Sequence, residues 1–204
     1  LTIDSEFQKQ VDSLLANYIQ TMQTNAPGKG RECNSGAAVV LGVKTGGVLA
    51  LSTYPTYTTD QLRNDFESLA NDPNSPLLNR ATQQAYMPGS IFKPVVGLKG
   101  LLDGVMTPTS TVNCVRQYNL ISGMNPPKCL SSHGPISIYR ALEQSSNWYF
   151  YDVGRRLGID NFGEFAKRLG LGIETGLEIG EAEGHITSSS DSDYTYGYVL
   201  MSAI

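Results

Sequence analysis

The sequence predicts an α/β layered domain in which an antiparallel sheet is flanked by helices and joined to a helical lobe. Three observations support this fold class: helical spacing of apolar residues over 5–23, two short apolar runs joined by a Gly-rich turn, and mostly helical patterns from residue 90 onward. A helix followed by a hairpin and then by a mostly helical stretch is typical of mixed layered domains.

Apolar residues recur at helical spacing near the start of the chain and predict a helix over residues 5–23. Asp4 and Ser5 stand directly before the first apolar position, and either side chain can accept unpaired backbone N–H groups at a helix start. The residues that form the apolar stripe are Phe7, Val11, Leu14, Leu15, Tyr18, Ile19 and Met22.

Two short apolar runs follow, over 37–43 and 48–52, and the four residues between them include two glycines. Short apolar runs joined by such a turn predict a β-hairpin. Residues 53–79 are rich in Pro, Asp and Asn and are expected to be mostly loop. Residues 104–135 also lack periodicity. Further helices are predicted over 90–103, 136–144, 148–157 and 161–169.

Composition and charge exclude several classes of function. The chain has 204 residues, of which 40% are hydrophobic and 17% charged, so it can bury a sizeable core. A formal net charge of −4 and the absence of a Lys/Arg block argue against a nucleic-acid surface. No run of apolar residues is long enough to predict a transmembrane helix, and we expect no signal peptide within these residues.

The cysteines and histidines give no sign of a metal site. Cys33, Cys114 and Cys129 lack paired C-x-x-C spacing, and His133 and His185 stand at no metal-ligand spacing. We therefore expect neither a metal nor a cofactor. The segment between Cys114 and Cys129 is a loop rich in Gly, Pro and Asn, so the two either pair in an oxidising compartment or remain separate half-buried thiols.

Ser90 and Lys93 stand three residues apart, where a helix is predicted to begin after a Pro-Gly turn signal. Side chains at i and i+3 share a helix face, so the lysine amine can lie beside the serine hydroxyl. A serine hydroxyl becomes a nucleophile when a base takes its proton, and a lysine with a lowered pKa can be that base. By itself, however, this spacing more often reflects a capping serine and a solvated lysine.

Ser145, Ser146 and Asn147 interrupt a helical run with three small polar residues. In a functional interpretation, Ser145 relays a proton between Lys93 and a leaving amine, and Asn147 holds a substrate amide. In a structural interpretation, the three residues are a turn between two helices, since such side chains bond readily to nearby backbone.

The spacings Ser90-x-x-Lys93 and Ser145-x-Asn147 resemble the first two motifs of the penicillin-binding proteins and serine β-lactamases. The resemblance covers nearly all of the chain and is strongest to the class B enzymes that cross-link peptidoglycan. The further segments that carry it are Leu1-Thr2-Ile3-Asp4 with Gln8, Ala38-Val39-Val40-Leu41, Thr45-Gly46-Gly47-Val48-Leu49-Ala50, Tyr54-Pro55, Asn79-Arg80-Ala81, Tyr86-Met87-Pro88-Gly89, His133-Gly134, Gly170-Leu171-Gly172 and Gly180-Glu181 with Gly184.

The resemblance implies a peptidoglycan D,D-transpeptidase with a β-lactamase-like fold. Ser90 would attack a D-Ala-D-Ala stem peptide, and Lys93 would be the general base. Ser145 would pass a proton to the departing D-Ala, and Asn147 would bind the substrate. The implied partners are stem peptides and β-lactam antibiotics, with no nucleic acid. The implied location is the outer face of the bacterial cytoplasmic membrane, through an N-terminal anchor absent from this sequence.

The third motif of the family, Lys-Thr-Gly, should follow the second one on a strand. Here the triplet stands at residues 44–46, before Ser90, and we interpret it as part of the hairpin turn. We therefore expect residues 1–204 to be a single transpeptidase domain, incomplete at its C-terminus, with a helix and hairpin over 1–55 and a nucleophile helix and helical lobe over 80–184. The third-motif strands would lie elsewhere, for example on a second chain, and the isolated chain is expected to be inactive.

The sequence is also compatible with two other functions. A D,D-carboxypeptidase or β-lactamase would resolve the acyl-enzyme with water instead of an amine. A class A β-lactamase is the weaker match, because Ser146 stands where that class carries Asp, and Glu181 and Glu183 lack its Glu-x-x-Leu-Asn context. A penicillin-binding sensor domain would be acylated once and signal to a partner.

Overall fold

The computed structural model describes residues 2–123 and 125–204, and of Lys29 the backbone alone. They form two compact units. The first comprises the chain up to Gln84 together with Leu177–Ala182, and the second comprises Ala85–Gly176 and Glu183–Ile204. Leu1, which belongs to the opening segment named above, lies outside the described residues.

In the first unit, the predicted amphipathic helix is α1 (Ser5–Asn25), and Asp4 caps it. The Asp4 carboxylate accepts the backbone N–H groups of Glu6 and Phe7 at 3.0 and 2.9 Å. Such a cap stabilises a helix by about 1 kcal/mol. The predicted helix and its cap are confirmed.

The predicted hairpin is formed by β1 (Gly36–Leu41) and β2 (Val48–Tyr54), which pair antiparallel. Its turn contains the Lys-Thr-Gly triplet at residues 44–46. Gly46 adopts φ +72°, a conformation that suits glycine, and donates its N–H to the Gly42 carbonyl at 2.7 Å. The triplet is therefore part of a turn, as predicted.

The Gln8 side chain joins α1 to β2. Its Nε2 donates to the Leu51 carbonyl at 3.0 Å, and its Oε1 accepts the Leu51 N–H at 2.8 Å. One side-chain amide thus supplies both of the backbone hydrogen bonds that a third strand would give Leu51. This explains why a polar residue lies on the face of α1 that packs against the hairpin.

The prediction that residues 53–79 are mostly loop was wrong in part. They contain α2 (Thr59–Asn64) and α3 (Phe66–Asn71), and α4 (Arg80–Gln83) follows. Thr58 begins α2 with a capping box: its hydroxyl accepts the Gln61 N–H at 3.2 Å, and the Gln61 side chain accepts the Thr58 N–H at 2.8 Å. The helices are too short to produce a clear apolar period.

The second unit is mostly helical, as predicted. None of the helices within residues 2–123 and 125–204 has the length and apolar character that crossing a bilayer requires. Aromatic side chains of α7 occupy the centre of the core, where Phe150 and Tyr149 are at most 1% exposed. The helices of this unit are α5 (Lys93–Leu102), α6 (Ile138–Glu143), α7 (Asn147–Leu157), α8 (Ile159–Arg168) and α9 (Gly197–Met201).

A second antiparallel sheet lies in the stretch over 104–135 that lacks periodicity. It consists of β3 (Val112–Cys114) and β4 (Gly134–Ile136), with Cys114 opposite Gly134. Strands of three residues are too short to show an alternating pattern, so sequence analysis missed them. The mixed α/β class is confirmed, with two small sheets in place of one.

Gly154 lets α7 and α9 approach closely, and Gly154→Ala is expected to destabilise the protein. An added Cβ would lie 2.4 Å from the Cβ of Ala203, just beyond α9. Overpacking of this kind costs about 1–3 kcal/mol, which thermal unfolding would detect. Gly163→Ala is the matched control. Its added Cβ would lie 3.2 Å from a side-chain atom of Ile186, a contact that a much smaller shift relieves, so this variant should lose less stability. Equal stability of the two variants would contradict the prediction.

Candidate active site

Ser90 lies in a 3₁₀ turn (Gly89–Phe92) that leads into α5, so the helix predicted over 90–103 begins at Lys93 instead. The reason is Pro94, which has no N–H to donate to the Ser90 carbonyl. The Lys93 N–H bonds that carbonyl instead and closes the tighter turn. Ser90 is exposed, whereas Lys93, the first residue of α5, is buried.

The Lys93 amine lies at the centre of the candidate site. The residue is only 1% exposed, yet its Nζ lies within hydrogen-bonding distance of four oxygens. These are Ser90 Oγ at 3.0 Å, Ser145 O at 2.8 Å, Ser145 Oγ at 3.0 Å and Asn147 Oδ1 at 2.6 Å. The structure therefore brings together all four residues named from the sequence.

The hydroxyl of Ser145 forms a triangle with Ser90 Oγ and Lys93 Nζ. Its hydroxyl lies 2.9 Å from Ser90 Oγ, and both hydroxyls lie 3.0 Å from Lys93 Nζ. Ser145 adopts φ +49°, a left-handed conformation that side-chain-bearing residues rarely adopt and that is often found at functional sites. A proton can pass between any two of the three groups without movement of the backbone.

The turn between α6 and α7 holds Ser145 in this conformation. The Ser145 N–H donates to the Leu142 carbonyl at 3.1 Å, and the Ser146 N–H donates to the Ala141 carbonyl at 2.8 Å. Ser146 is fully buried and is the N-cap of α7. The structural interpretation of this triplet as a capping turn is therefore also correct, and the turn positions the functional atoms.

Burial lowers the pKa of Lys93 below its ordinary value of 10.5, and the negative potential of Cys129 opposes this shift. A lysine with a lowered pKa is partly neutral nearer physiological pH, and only a neutral amine can accept a proton. The site therefore places a serine hydroxyl beside an amine whose lowered pKa suits it to accept a proton.

A cavity of about 560 Å³ opens beside Ser90 and Asn147. Its lining is mostly apolar, with a few polar groups, as is usual for substrate pockets. His185 and Thr187 also line this cavity, and sequence analysis placed neither of them at the candidate site. Other lining residues include Tyr86, Met87, Phe92, Phe162, Ile186, Tyr198 and Met201.

A family model, the penicillin binding protein transpeptidase domain, matches residues 36–204. The chain belongs to this family. The matched range includes Ser90, Lys93, Ser145, Asn147 and both strands of the hairpin. The mixed α/β fold agrees with the solved members of the family.

Three relatives of this transpeptidase domain are similar over most of the chain. Peptidoglycan D,D-transpeptidase MrdA of Escherichia coli K12 is 33% identical over 188 residues, which are 89% of this chain and 27% of the relative. A solved structure of Pseudomonas aeruginosa PBP2 in complex with WCK 5153 is 31% identical, with a TM-score of 0.73, and covers 92% of this chain and 41% of that one. A complex between PBP2 and MreC from Helicobacter pylori is 25% identical, with a TM-score of 0.82, and covers 99% of this chain and 37% of that one.

The transpeptidase domain also brings two buried cysteines and a half-buried histidine together next to the second motif. Cys114, Cys129 and His133 place their ligand atoms within 4.8 Å of one another. Among residues 2–123 and 125–204 this is the one group of three or more such side chains that could hold a metal ion. The spacing of these residues in the sequence gave no sign of it, because a loop and two short strands bring them together. Both cysteines are free thiols.

If the neutral amine of Lys93 is the general base, the rate of acylation by a β-lactam is expected to rise with pH through the pKa of Lys93. Since burial lowers that pKa, the rise should be centred below pH 10.5. Rates of labelling by a fluorescent penicillin between about pH 5 and about pH 10 would test this. A rate that is flat or falls over that range would contradict a lysine base.

Proposed function

We propose that this chain carries the nucleophile, the general base and the second motif of a peptidoglycan D,D-transpeptidase. The observation that carries the proposal is the position of Lys93 Nζ, which lies 3.0 Å from Ser90 Oγ. A general base must lie within hydrogen-bonding distance of the proton that it takes. The family match and the D,D-transpeptidase name of the Escherichia coli relative support the same reaction.

In the acylation step, Ser90 Oγ attacks the carbonyl carbon of the D-Ala-D-Ala peptide bond while its proton passes to Lys93 Nζ. The tetrahedral intermediate then collapses, and the departing amine of D-Ala takes a proton from Ser145 Oγ. Lys93 returns a proton to Ser145. Hydrogen bonds of 2.9–3.0 Å join these three groups and support such a relay.

In the second step, the amine of another stem peptide attacks the ester on Ser90. The same relay runs in reverse: the amine proton passes through Ser145 to Lys93, and Ser90 Oγ leaves with a proton. Asn147, whose amide oxygen lies 2.6 Å from Lys93 Nζ, orients the lysine and presents its amide N–H₂ to the substrate.

The oxyanion of each tetrahedral intermediate needs backbone N–H donors, and the Ser90 N–H is one of them. In the family the second donor follows the third motif, and no Lys-Thr-Gly triplet follows Asn147 in this sequence. We therefore propose that a segment outside residues 1–204 supplies it, and that these residues belong to one transpeptidase domain. The isolated chain should be acylated poorly.

We place this reaction at the outer face of the bacterial cytoplasmic membrane, where peptidoglycan stem peptides are cross-linked. The chain spans 27% of the length of the Escherichia coli relative, so an anchor and further partners would lie in other parts of the whole protein. The Helicobacter pylori relative forms a complex with MreC, and we propose a partner of the same kind here. β-Lactams would acylate Ser90 in the same way as the donor peptide.

The test uses a protein that contains this sequence, a D-Ala-D-Ala pentapeptide donor and an amine acceptor. We expect release of D-Ala together with an equal amount of cross-linked product. Release of D-Ala without cross-linking would indicate a carboxypeptidase, and turnover of a chromogenic β-lactam would indicate a β-lactamase. A stable penicillin adduct without any release of D-Ala would indicate a sensor domain.

A further inference from the structure

His185 lies on the wall of the cavity that also contains Ser90 and Asn147. Its side chain is 72% exposed, so the imidazole ring is open to a ligand and is not part of the core. Among the described residues that line this cavity there is no lysine, arginine, aspartate or glutamate. Histidine is the residue type that exchanges protons near neutral pH, and none of the steps of acyl transfer described above involves this ring.

The Asp191 carboxylate orients the His185 ring, whose Nε2 lies 2.9 Å from Asp191 Oδ2. The same carboxylate accepts the Ser188 N–H at 3.0 Å and the Ser188 hydroxyl at 3.1 Å. The Ser188 N–H and the His185 ring lower the pKa of Asp191 below its ordinary value of 3.8, so this carboxylate has no proton to donate at neutral pH. The proton in the bond between the two side chains therefore lies on Nε2, and in the neutral ring Nδ1 keeps a lone pair that can accept.

The segment that carries His185 is fixed to α8 at two points. Ile186 packs so closely on this helix that a Cβ added at Gly163 would lie 3.2 Å from its side chain. Ser189 donates its backbone N–H at 2.8 Å to the carboxylate of Asp160, in the first turn of α8. Anchoring of this kind holds a functional side chain near its working position before a substrate arrives.

The second step of the reaction needs a neutral amine, because an ammonium group has no lone pair with which to attack the ester on Ser90. The alkyl amine of a stem peptide is largely protonated near neutral pH. An imidazole whose far nitrogen is held by a carboxylate is a common arrangement for a base that removes a proton from a nucleophile. A cavity of about 560 Å³ is of the size that holds one small ligand, so groups on its walls can contact the same amine and ester.

We propose that His185, oriented by Asp191, binds the primary amine of the acceptor peptide and deprotonates it before it attacks the acyl-enzyme. Nδ1 takes one proton from the ammonium group, which leaves a neutral amine and an imidazolium paired with the Asp191 carboxylate. The nitrogen lone pair then forms the bond to the ester carbon on Ser90, and the second amine proton passes through Ser145 to Lys93. The imidazolium gives its proton to water. This role rests on the proposed function, since it concerns the second step of that reaction.

The experiment compares two products of a D-Ala-D-Ala pentapeptide donor in the whole protein that contains this sequence. Attack by the amine of a second stem peptide gives cross-linked peptide, and attack by water gives the shortened peptide, so their ratio reports the second step alone. Water needs no deprotonation before it enters the relay. We expect His185→Gln to lower the ratio by about 100-fold, the lower end of the contribution of a general base. Acylation by a fluorescent penicillin should stay within about threefold, because the first step does not use the imidazole.

A weakly basic acceptor separates deprotonation from a structural role. Hydroxylamine is neutral at neutral pH and needs no base before it attacks, so with it the loss in His185→Gln should shrink to about threefold or less. Asp191→Asn keeps the size of the orienting side chain but removes its charge, and should lower the stem-peptide ratio by about 10-fold. Asp193→Asn is the matched control, because Asp193 lies in the same segment and accepts the Tyr198 hydroxyl at 3.5 Å. This control should keep the unmodified ratio.

The proposal is overturned if His185→Gln keeps the unmodified product ratio, if its loss is equal with both acceptors, or if penicillin acylation falls as far as the ratio. Equal ratios in Asp191→Asn and Asp193→Asn would also overturn it, because the carboxylate would then not orient a base. Absence of penicillin labelling or of cross-linked product in the unmodified protein would instead count against the proposed function, so the two failures are distinguishable.

Discussion

Ser90→Ala is expected to abolish covalent labelling of the protein by a fluorescent penicillin. The serine hydroxyl is the group that becomes the ester oxygen, and alanine has no atom that can form this bond. Ser145 Oγ lies 2.9 Å from Ser90 Oγ, but Lys93 Nζ contacts both the hydroxyl and the backbone carbonyl of Ser145 and so holds this residue beside the nucleophile. Loss of a nucleophile lowers such rates by about 10⁴-fold or more, so a gel should show no band.

The control for this prediction is Ser122→Ala, which removes an exposed hydroxyl of the same unit. It should be labelled like the unmodified protein. Thermal unfolding of Ser90→Ala should change little, since Ser90 is exposed and alanine fits the same turn. Labelling that survives in a folded Ser90→Ala protein would show that another residue is the nucleophile.

Lys93→Met is expected to lower the acylation rate by about 10²- to 10⁴-fold, the usual contribution of a general base. Methionine keeps most of the volume of the buried stem, so the variant tests the amine and not the packing. It also leaves the oxygens of Ser145 and Asn147 without their donor, which costs about 1–3 kcal/mol of stability. The measurements are labelling rate and thermal unfolding of the same sample.

Lys99→Met is the matched control, because Lys99 lies on the same helix and bonds Asp103 at 2.7 Å. It should keep the unmodified labelling rate. Lys93→Arg separates charge from basicity, since arginine keeps the positive charge but cannot give up its proton. The Lys93→Arg variant should therefore be acylated as slowly as Lys93→Met. Rapid acylation of Lys93→Arg would exclude lysine as the base.

Local contacts explain what could be predicted from the sequence. Ser90 and Lys93 are three residues apart, so the start of one helix brings them together. The cap at Asp4 and the hairpin turn around Gly46 also depend on neighbouring residues alone. The resemblance to a known family then predicted that Ser90 and Ser145 lie in one site. The spacing of apolar residues along the chain could not have predicted this.

Other features depend on contacts between distant residues, which leave no local pattern. The sulfur of Cys129 lies 3.8 Å from the hydroxyl of Ser146, the N-cap of α7, and the segment that carries Cys129 lies between two strands of three residues each. The left-handed conformation of Ser145 is set by the turn between two helices. The α-helix begins at Lys93, and not at Ser90 as predicted, because Pro94 has no N–H to donate to the Ser90 carbonyl. This effect depends on neighbouring residues alone and could have been predicted from the sequence.

The central claim is that Ser90 is the residue acylated in this transpeptidase domain. Peptide mapping by mass spectrometry after reaction with a β-lactam tests it most directly. We predict one adduct per protein, of the mass of the intact β-lactam, on the peptide that contains Ser90. An adduct on Ser145 or on a cysteine, or no adduct on a folded protein that carries the whole transpeptidase domain, would contradict the claim.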